Sequence, residues 1–281
     1  MALPVPTLDH VVINARDDLD TAAETYRRLG FALTERGYHS LGSMNHLAMF
    51  GTDYLELIAV PKDAPAEVRP DVMAAPFGLS GLVFGSEDSA ATHAALAAAG
   101  IDIKPPREFT RPVNIGGTAR DARFRTATLD QSVTPYGRVY FCHHFTRDLV
   151  WRDEWRHHPN GVVAVQRVVI VHPDPADAAS LYAGMFGEAA VRDTVGGKAL
   201  IVGATNVDIV TEEALRAELG AAAPDPAGRS TYMAGLAFRT VSIAQAGSML
   251  TGNSVAGVSE VAGGLVVPAS SALNATLAFF Q

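Results

Sequence analysis

A βαβββ pattern that recurs four times along the chain constrains its fold more than any other sequence feature. The first copy opens with the apolar run Leu8–Asn14 and closes with the apolar run Tyr54–Ile58. Between them, apolar residues recur at helical spacing from Leu19 to Leu29, and Gly30 provides a natural helix end. Further strand-like runs follow the helix, so the first copy is predicted to have the order β-α-β-β-β.

The other copies are recognised by alignment with the first. Val165–Ile170 aligns with Leu8–Ile13, and the second and fourth copies begin at Leu79–Phe84 and Gly235–Phe238. One such unit leaves a sheet face uncovered, whereas two units can join into a curved cup with helices outside. We therefore predict an α+β fold in which four βαβββ modules form two cups. The predicted domains are 1–158 and 159–281, separated by the breaker HHPNG at 157–161.

Three local assignments complete the prediction for the first half. Strands are expected near Ala32–Arg36 and at Ile101–Lys104, where apolar and β-branched residues gather. A long polar loop is expected from Pro105 to about Asp121, because this stretch is rich in proline, glycine and charged residues.

Composition excludes several classes of protein. The formal net charge is −8 and no long basic run occurs, which disfavours a nucleic-acid partner. No stretch of about 18 apolar residues is present, and the first residues lack the features of a signal peptide. Cys142 is the single cysteine, so no intrachain disulfide can form and a cytoplasmic location is expected. Exposed strand edges are compatible with a homodimer.

Two ionisable residues interrupt the apolar strands of the first module. His10 lies in its first strand and Glu56 in its last, and burying either would be costly without a partner. A divalent metal is one such partner. A hydrogen-bonded histidine at a strand edge and a solvated carboxylate are the alternative. The third module carries Arg167 and Asp208 at these positions, which predicts an ion pair in place of a metal site.

These motifs together resemble the vicinal oxygen chelate superfamily, and within it the glyoxalase-like domain proteins. The resemblance rests on the module ends and on the segments GSMNH at 42–46, FCHHF at 141–145 and WRDEW at 151–155. It implies that a divalent ion, Fe, Mn or Zn, is held by His10, Glu56 and a histidine from the last strand of the second module. His143 and His144 point to opposite faces there, and His144 matches the more typical position.

Other polar residues are candidates for the chemistry or for substrate binding. His46 and Tyr140 are candidate acid–base or hydrogen-bonding groups, with His39 in a secondary role. Asn45 is a candidate for orienting a substrate. Arg123 and Arg125, in an arginine-rich stretch, are candidates for binding a carboxylate or phosphate. The structural alternatives are rim histidines, a core tyrosine and a solvated charged loop.

The resemblance implies a metal-dependent enzyme acting on a small oxygen-bearing organic substrate. The metal would stabilise an enolate or other oxyanion as a Lewis acid, in a lyase or isomerase type of reaction. An Fe(II)-dependent dioxygenase and a metal-free protein that binds or sequesters a small molecule are the alternatives. A fold of this kind does not by itself specify the reaction.

Overall fold

The computed structural model describes residues 2–281 and contains two eight-stranded sheets. The first half of the chain has eight strands: β1 (Leu8–Asn14), β2 (Gly37–Tyr38), β3 (Met44–Met49), β4 (Tyr54–Ala59), β5 (Gly78–Gly85), β6 (Arg107–Ile115), β7 (Thr118–Thr128) and β8 (Arg138–His144). It has three α-helices: α1 (Leu19–Arg28), α2 (Pro70–Ala74) and α3 (Ser89–Ala98). Short 3-10 helices follow at Arg147–Leu149 and Asp153–Trp155.

The second half repeats this arrangement. Its strands are β9 (Val162–Val171), β10 (Val191–Thr194), β11 (Gly197–Val202), β12 (Thr205–Val210), β13 (Tyr232–Thr240), β14 (Ser259–Val261), β15 (Gly264–Val267) and β16 (Thr276–Phe280). Its α-helices are α4 (Pro175–Phe186), α5 (Glu212–Leu219) and α6 (Ile243–Gly252). Short 3-10 helices occur at Glu188–Ala190, Gly220–Ala222 and Ala269–Ser271.

Both sheets have the same strand order, which confirms the four predicted modules. The first sheet runs β2-β3-β4-β1-β5-β8-β7-β6, and the second runs β10-β11-β12-β9-β13-β16-β15-β14. In each sheet the first strands of two modules pair antiparallel at the centre, β1 with β5 and β9 with β13. Each half is therefore a pair of βαβββ modules joined edge to edge, as the repeat predicts.

The aligned positions of the two cups also occupy the same register. Glu56 lies opposite Val12 in the β1–β4 pair, and Asp208 lies opposite Val169 in the β9–β12 pair. Because successive residues of a strand point to opposite faces, this register puts both carboxylates on the inner face of their sheet. The sequence alignment thus compares positions that are equivalent in space.

Side-chain capping explains where the module helices begin. Asp18 accepts a hydrogen bond from Thr21 N before α1, and Asp174 accepts from Ala176 N before α4. Such caps satisfy backbone N–H groups that have no partner inside the helix. Gly30 follows α1 with a φ of 85°, which a glycine adopts without steric cost.

Three local predictions were wrong. The expected loop after Pro105 is the long hairpin β6–β7, whose two-residue turn is Gly116-Gly117 with φ values of 58° and 83°. Two consecutive positive φ values match the twist of a hairpin, so the glycines close the turn. Residues 32–36 form no strand, and Ile103 makes only an isolated bridge to Leu129. Both segments are too short or irregular to pair along their length.

The two faces of the first sheet belong to different apolar clusters. Val11 and Ile13 face the main core, where α1 packs against the sheet. Val12 faces the inside of the cup, together with Tyr54 and Ile58. The segment after β8 covers this inner face, because Leu149, Val150, Trp151 and Trp155 pack against the inner cluster.

The second cup is filled from within by a helix. Leu215 of α5 packs against Val169, Val210 and Tyr232 on the inner face of the second sheet. The corresponding helix of the first half, α2, is a single short turn of helix that contributes Val72 to the inner cluster. The first cup therefore keeps an open interior.

The two halves share one apolar core. The main cluster includes Leu55 and Phe84 from the first half and Val168 and Phe238 from the second. Polar contacts also join the halves: the Tyr136 and Tyr182 hydroxyls are 2.7 Å apart, and Asp53 Oδ1 accepts from Val165 N at 2.9 Å. Among residues 2–281, no helix combines the length and the apolar character needed to cross a bilayer.

Candidate active site

A cavity of about 330 Å³ opens on the inner face of the first sheet. This volume lies at the lower end of the range of small-molecule sites, roughly 300–1,000 Å³. Aromatic rings form part of the wall: Phe109 and Phe124 stack with centroids 5.0 Å apart, and Tyr54 stacks on His10 at 4.3 Å. His10, Asn45, Glu56 and Tyr140 all line the cavity.

Asp9 fixes the orientation of the His10 ring. The Asp9 Oδ1 to His10 Nδ1 distance is 2.6 Å, and both side chains are buried. Burial alone would raise the pKa of Asp9, but His144, His10 and their hydrogen bonds outweigh it and hold the pKa below its usual value. An ionised carboxylate can only accept, so His10 Nδ1 donates and His10 Nε2 is left facing the cavity.

Glu56 is a buried carboxylate that stays ionised. Burial acts to raise its pKa, but His39, His10 and a hydrogen bond from Asn45 together lower it. Asn45 Nδ2 donates to Glu56 Oε1 at 2.6 Å, and His39 Nε2 is 3.8 Å from the same oxygen. Burial lowers the pKa of His39 itself to about 4, so this ring is neutral near pH 7.

His10 and Glu56, predicted from opposite ends of the first module, are brought together. His10 Nε2 lies 3.6 Å from Glu56 Oε2. With His10 Nδ1 donating to Asp9, the Nε2 lone pair and the carboxylate oxygen are both electron-pair donors. Two such donors face each other favourably only when a proton or a metal cation lies between them.

His144 is in the same cluster but contacts Asp9. Its Nε2 is 3.1 Å from Asp9 Oδ1 and 3.4 Å from Cys142 Sγ. Among residues 2–281, these three residues are the group of potential ligands whose donor atoms converge within 4.8 Å. Burial raises the pKa of the Cys142 thiol well above its usual value, so the thiol stays protonated and unreactive near neutral pH.

The other predicted residues divide between the two faces of their strands. Tyr140 donates to His10 Nε2 at 3.0 Å, and burial raises the pKa of its phenol far above 10, so it keeps its proton. Asn45 points into the cavity. His46, the next residue, points to the opposite face and bonds to the Thr34 carbonyl oxygen at 2.8 Å. His143 also points away from His144 and packs against Phe145.

Arg123 and Arg125 lie outside the cavity. Their neighbours Phe124 and Thr126 line it, so the alternation of β7 directs both arginines to the outer face. There both guanidinium groups lie near the Phe145 ring, and Arg125 pairs with Glu108. The structure thus does not bring these two residues to the predicted site.

Four other arginines do line the cavity: Arg69, Arg107, Arg111 and Arg138. Arg69 donates to Asp71 and to Ser43 Oγ, and Arg138 Nη2 lies 3.3 Å from Asp71 Oδ2. Arg111, on β6, also points inward. Asp9, Arg69 and Arg138 were not among the predicted site residues. For Asp9, the one signal in the sequence was its place next to the candidate ligand His10. For Arg69 and Arg138 there was no such signal, because only the fold brings them to the cavity.

The equivalent positions of the second cup form the predicted ion pair. Arg167 Nε is 2.6 Å from Asp208 Oδ2, and the same guanidinium also bonds to Glu218 of α5. The structure confirms that Arg167 and Asp208 approach each other as His10 and Glu56 do. A guanidinium here occupies the place where the first cup leaves space.

Comparisons with solved structures show the same fold. A hypothetical protein from Staphylococcus aureus has 12% identity and a TM-score of 0.67, over 97% of this chain and 98% of that one. A mutant 4-hydroxymandelate synthase from Streptomyces coelicolor has 13% identity and a TM-score of 0.56, over 93% and 78%. A fusion of a xylose isomerase-like TIM barrel and 4-hydroxyphenylpyruvate dioxygenase has 12% identity and a TM-score of 0.55, over 93% and 40%.

Comparisons of sequence identify the family. No curated protein matches the chain at a significant level. A family profile described as glyoxalase-like domain matches residues 8–186, which is more than half of the chain and contains every residue of the cavity. The chain, built from paired βαβββ modules, therefore belongs to the glyoxalase-like domain family.

Proposed function

We propose that the cavity of the first cup is the active site of a metal-dependent enzyme. Its substrate is a small oxygen-bearing organic molecule, and its reaction is of the lyase or isomerase type, through an enolate or another oxyanion. The observation that carries the proposal is the 3.6 Å approach of His10 Nε2 to Glu56 Oε2 in the wall of this cavity.

The donor set supports a divalent ion. Two donors that each bind one ion at about 2.1 Å can be at most about 4.2 Å apart, and 3.6 Å satisfies this limit. Glu56 is ionised, and His10 Nε2 is the ring nitrogen that accepts a hydrogen bond from Tyr140. These are the protonation states that ligands require, and a bound ion would take the place of the Tyr140 hydrogen bond. His144 is proposed as the third ligand, and it belongs to the same hydrogen-bonded cluster through Asp9. Such a set suits Fe, Mn or Zn.

When bound, the ion supplies Lewis-acid stabilisation of negative charge on substrate oxygen. The residues of the chain provide the remaining functions. Asp9 holds the His10 ring in one orientation, Asn45 holds Glu56, and the protonated Tyr140 hydroxyl offers a donor beside His10. The aromatic and aliphatic walls limit water, which strengthens these electrostatic interactions.

Metal analysis of protein purified without chelator tests the proposal. We expect about one equivalent of metal in the wild type and a loss of most of it in His10→Ala and in Glu56→Ala. His46→Ala is the matched control, because its side chain lies on the opposite face of β3. His144→Ala and His143→Ala separate the two neighbouring histidines, and only the former should lower the metal content.

A wild type that contains no metal and gains none on titration with Fe(II), Mn(II) or Zn(II) would exclude the proposal. Iron with oxygen-dependent turnover would instead select the dioxygenase reaction. Zinc or manganese would argue against it.

One observation supports a metal-free protein as the second candidate. His10 Nε2 already has the Tyr140 hydroxyl at 3.0 Å, and Glu56 already has Asn45 at 2.6 Å. A protonated His10 between Asp9 and Glu56 would satisfy the cluster without a cation. The same metal analysis separates this binding or acid–base protein from the metal enzyme.

A further inference from the structure

The charge of the cavity is opposite to the charge of the chain. The chain has a formal net charge of −8, yet the cavity wall carries more basic than acidic side chains. The basic residues are Arg69, Lys104, Arg107, Arg111 and Arg138, and the acidic residues are Glu56 and Asp71. A concave, partly apolar site with one sign of charge concentrates ligands of the other sign. The cavity is therefore suited to an anion.

Arg69 and Arg138 share one protein carboxylate, that of Asp71. Arg69 forms two hydrogen bonds to the carboxylate of Asp71, both 2.9 Å long, and Arg138 Nη2 approaches the same carboxylate at 3.3 Å. Arg69 Nη1 also donates to Ser43 at 2.6 Å. These two side chains thus form the wall of the cavity around Asp71 and are not free to bind a ligand with their whole guanidinium groups.

Arg111 differs from them in its hydrogen bonding. Only 3% of the residue is exposed, and among residues 2–281 no hydrogen-bond acceptor contacts its buried Nη2. The nearby Glu56 favours its charged form. Burial lowers the pKa of Arg111, but a guanidinium remains charged at neutral pH. A buried N–H of a charged group that has no acceptor is costly, because it has lost its hydrogen bonds to water. Such a cost points to a missing partner.

Arg111 lines the cavity together with Asn45 and Glu56. A Cβ atom on Gly37 would lie 2.5 Å from Asn45 Oδ1 and 2.7 Å from Arg111 Nη1, so the glycine allows these two side chains to lie side by side. Asn45 Oδ1 is also buried without a hydrogen-bond partner, while the amide nitrogen of Asn45 holds Glu56. Arg111 is thereby placed next to the group that positions Glu56, at the His10–Glu56 end of the cavity wall.

We propose that Arg111 binds a carboxylate group of the substrate, so that the natural substrate is a small organic acid whose reactive oxygen faces His10 and Glu56. The planar guanidinium matches a carboxylate with two parallel N–H···O bonds. Phe109 and Phe124, stacked in the same wall, fit an apolar body of the acid between the two polar ends. This inference names the substrate class of the proposed active site. It rests on the proposed function for the role of His10 and Glu56.

Benzoate and benzamide provide a matched pair of probes, since they differ mainly in charge. By calorimetric titration, we expect the wild type to bind benzoate at least about tenfold more tightly than benzamide. Arg111→Met should remove this preference by weakening benzoate binding at least about tenfold and leaving benzamide unchanged. Arg111→Lys, which keeps the charge but not the planar fork, should retain part of it. Arg125→Met, outside the cavity, is the control and should bind as the wild type does.

Three outcomes would overturn the inference. These are no benzoate binding by the wild type, equal benzoate binding by the wild type and Arg111→Met, and tighter Arg111-dependent binding of phenyl phosphate than of benzoate. The last would assign the space to a phosphate. The titrations are repeated with His10→Ala, and with wild-type protein after removal of metal by chelator. These measurements separate the inference about Arg111 from the proposed metal-dependent function. Benzoate binding that depends on Arg111 in a protein that never binds metal would preserve this inference while the proposed enzyme failed.

Discussion

At the scale of single residues, the candidate site is defined by which buried polar groups have partners. Asp9, Asn45 and Tyr140 each satisfy a neighbour in the His10–Glu56 cluster, whereas Arg111 Nη2 is left without an acceptor. Side chains in a folded interior normally satisfy their hydrogen bonds. Because Arg111 lines the cavity, its unsatisfied Nη2 is the basis for the proposal that this residue binds a ligand.

Substitutions of Arg111 and Arg69 should have opposite effects on stability. Arg111→Met should leave the free energy of unfolding unchanged or raise it by about 1–2 kcal/mol, because it removes a buried N–H group that has no acceptor among residues 2–281. Arg69→Met should lower it by roughly 1–3 kcal/mol, because Asp71 and Ser43 lose their donor. Urea unfolding of both variants measures the difference. A larger loss in Arg111→Met than in Arg69→Met would indicate a structural role for Arg111.

At the scale of elements, equivalent pairs of strands carry different residues in the two cups. The register that joins β1 to β4 recurs between β9 and β12, so each cup brings one residue of its first strand to a carboxylate of its last. In the second cup the pair is Arg167–Asp208, and α5 packs on the inner face above it. The pairing of these strands thus belongs to the architecture that both cups share. The residue types at the paired positions determine whether a ligand site is possible there.

The ion pair of the second cup should be replaceable. Arg167→Met alone should lower the free energy of unfolding by roughly 1–3 kcal/mol, because Asp208, 16% exposed, loses its donor. The double variant Arg167→Met with Asp208→Leu should recover at least half of that loss. A double-mutant cycle in urea measures the coupling. If the losses in free energy of unfolding of the two single variants simply add in the double variant, the two residues do not stabilise each other. Metal content should stay as in the wild type in all three variants.

At the scale of the whole molecule, the two cups form one unit because their outer faces share a core. The predicted boundary at 158 lies in the segment between β8 and β9, yet apolar contacts and buried polar contacts cross it. His158 itself lies at this junction, where Nε2 donates to the Met49 carbonyl at 2.8 Å. The second cup therefore supports the first through a shared core.

Asp53 makes this junction sensitive to pH. Burial raises its pKa to about 7, and its Oδ1 accepts from Val165 N in the second half. Between the unfolded value of 3.8 and about 7, the folded protein binds more protons than the unfolded one at this group. The stability of the wild type therefore falls as pH rises through this window.

Asp53→Asn, which keeps the acceptor and stays neutral, should remove this dependence. The variant should match the wild type near pH 4 and exceed it above about pH 7 by at most about 4 kcal/mol, from about 1.4 kcal/mol per pKa unit. Urea unfolding as a function of pH measures the difference. Asp193→Asn, an exposed carboxylate, controls for the loss of one acidic group. A variant less stable than the wild type at pH 8 would contradict this expectation.

The sequence by itself determined the architecture, because the hydrophobic pattern of a βαβββ unit is repeated and each copy must bury the same faces. The repeat also singled out His10 and Glu56, since these ionisable residues interrupt apolar strands in one copy and are replaced in another. The ion pair Arg167–Asp208 followed from the same comparison. These inferences depend on local periodicity and on alignment, both of which are properties of the chain alone.

Only the tertiary structure decided which other side chains share the cavity. Arg123 and Arg125 differ from Arg111 in nothing that the sequence displays, yet the β6–β7 hairpin turns Arg111 inward and the other two outward. Asn45 and His46 are likewise adjacent in β3, yet Asn45 faces the cavity and His46 faces the other side of the sheet. A one-residue change of register exchanges the two faces of a strand. Register is set by pairing with distant strands and by the Gly116-Gly117 turn, which the sequence analysis assigned to a loop. The long-range contacts that complete the site could not be derived for this reason.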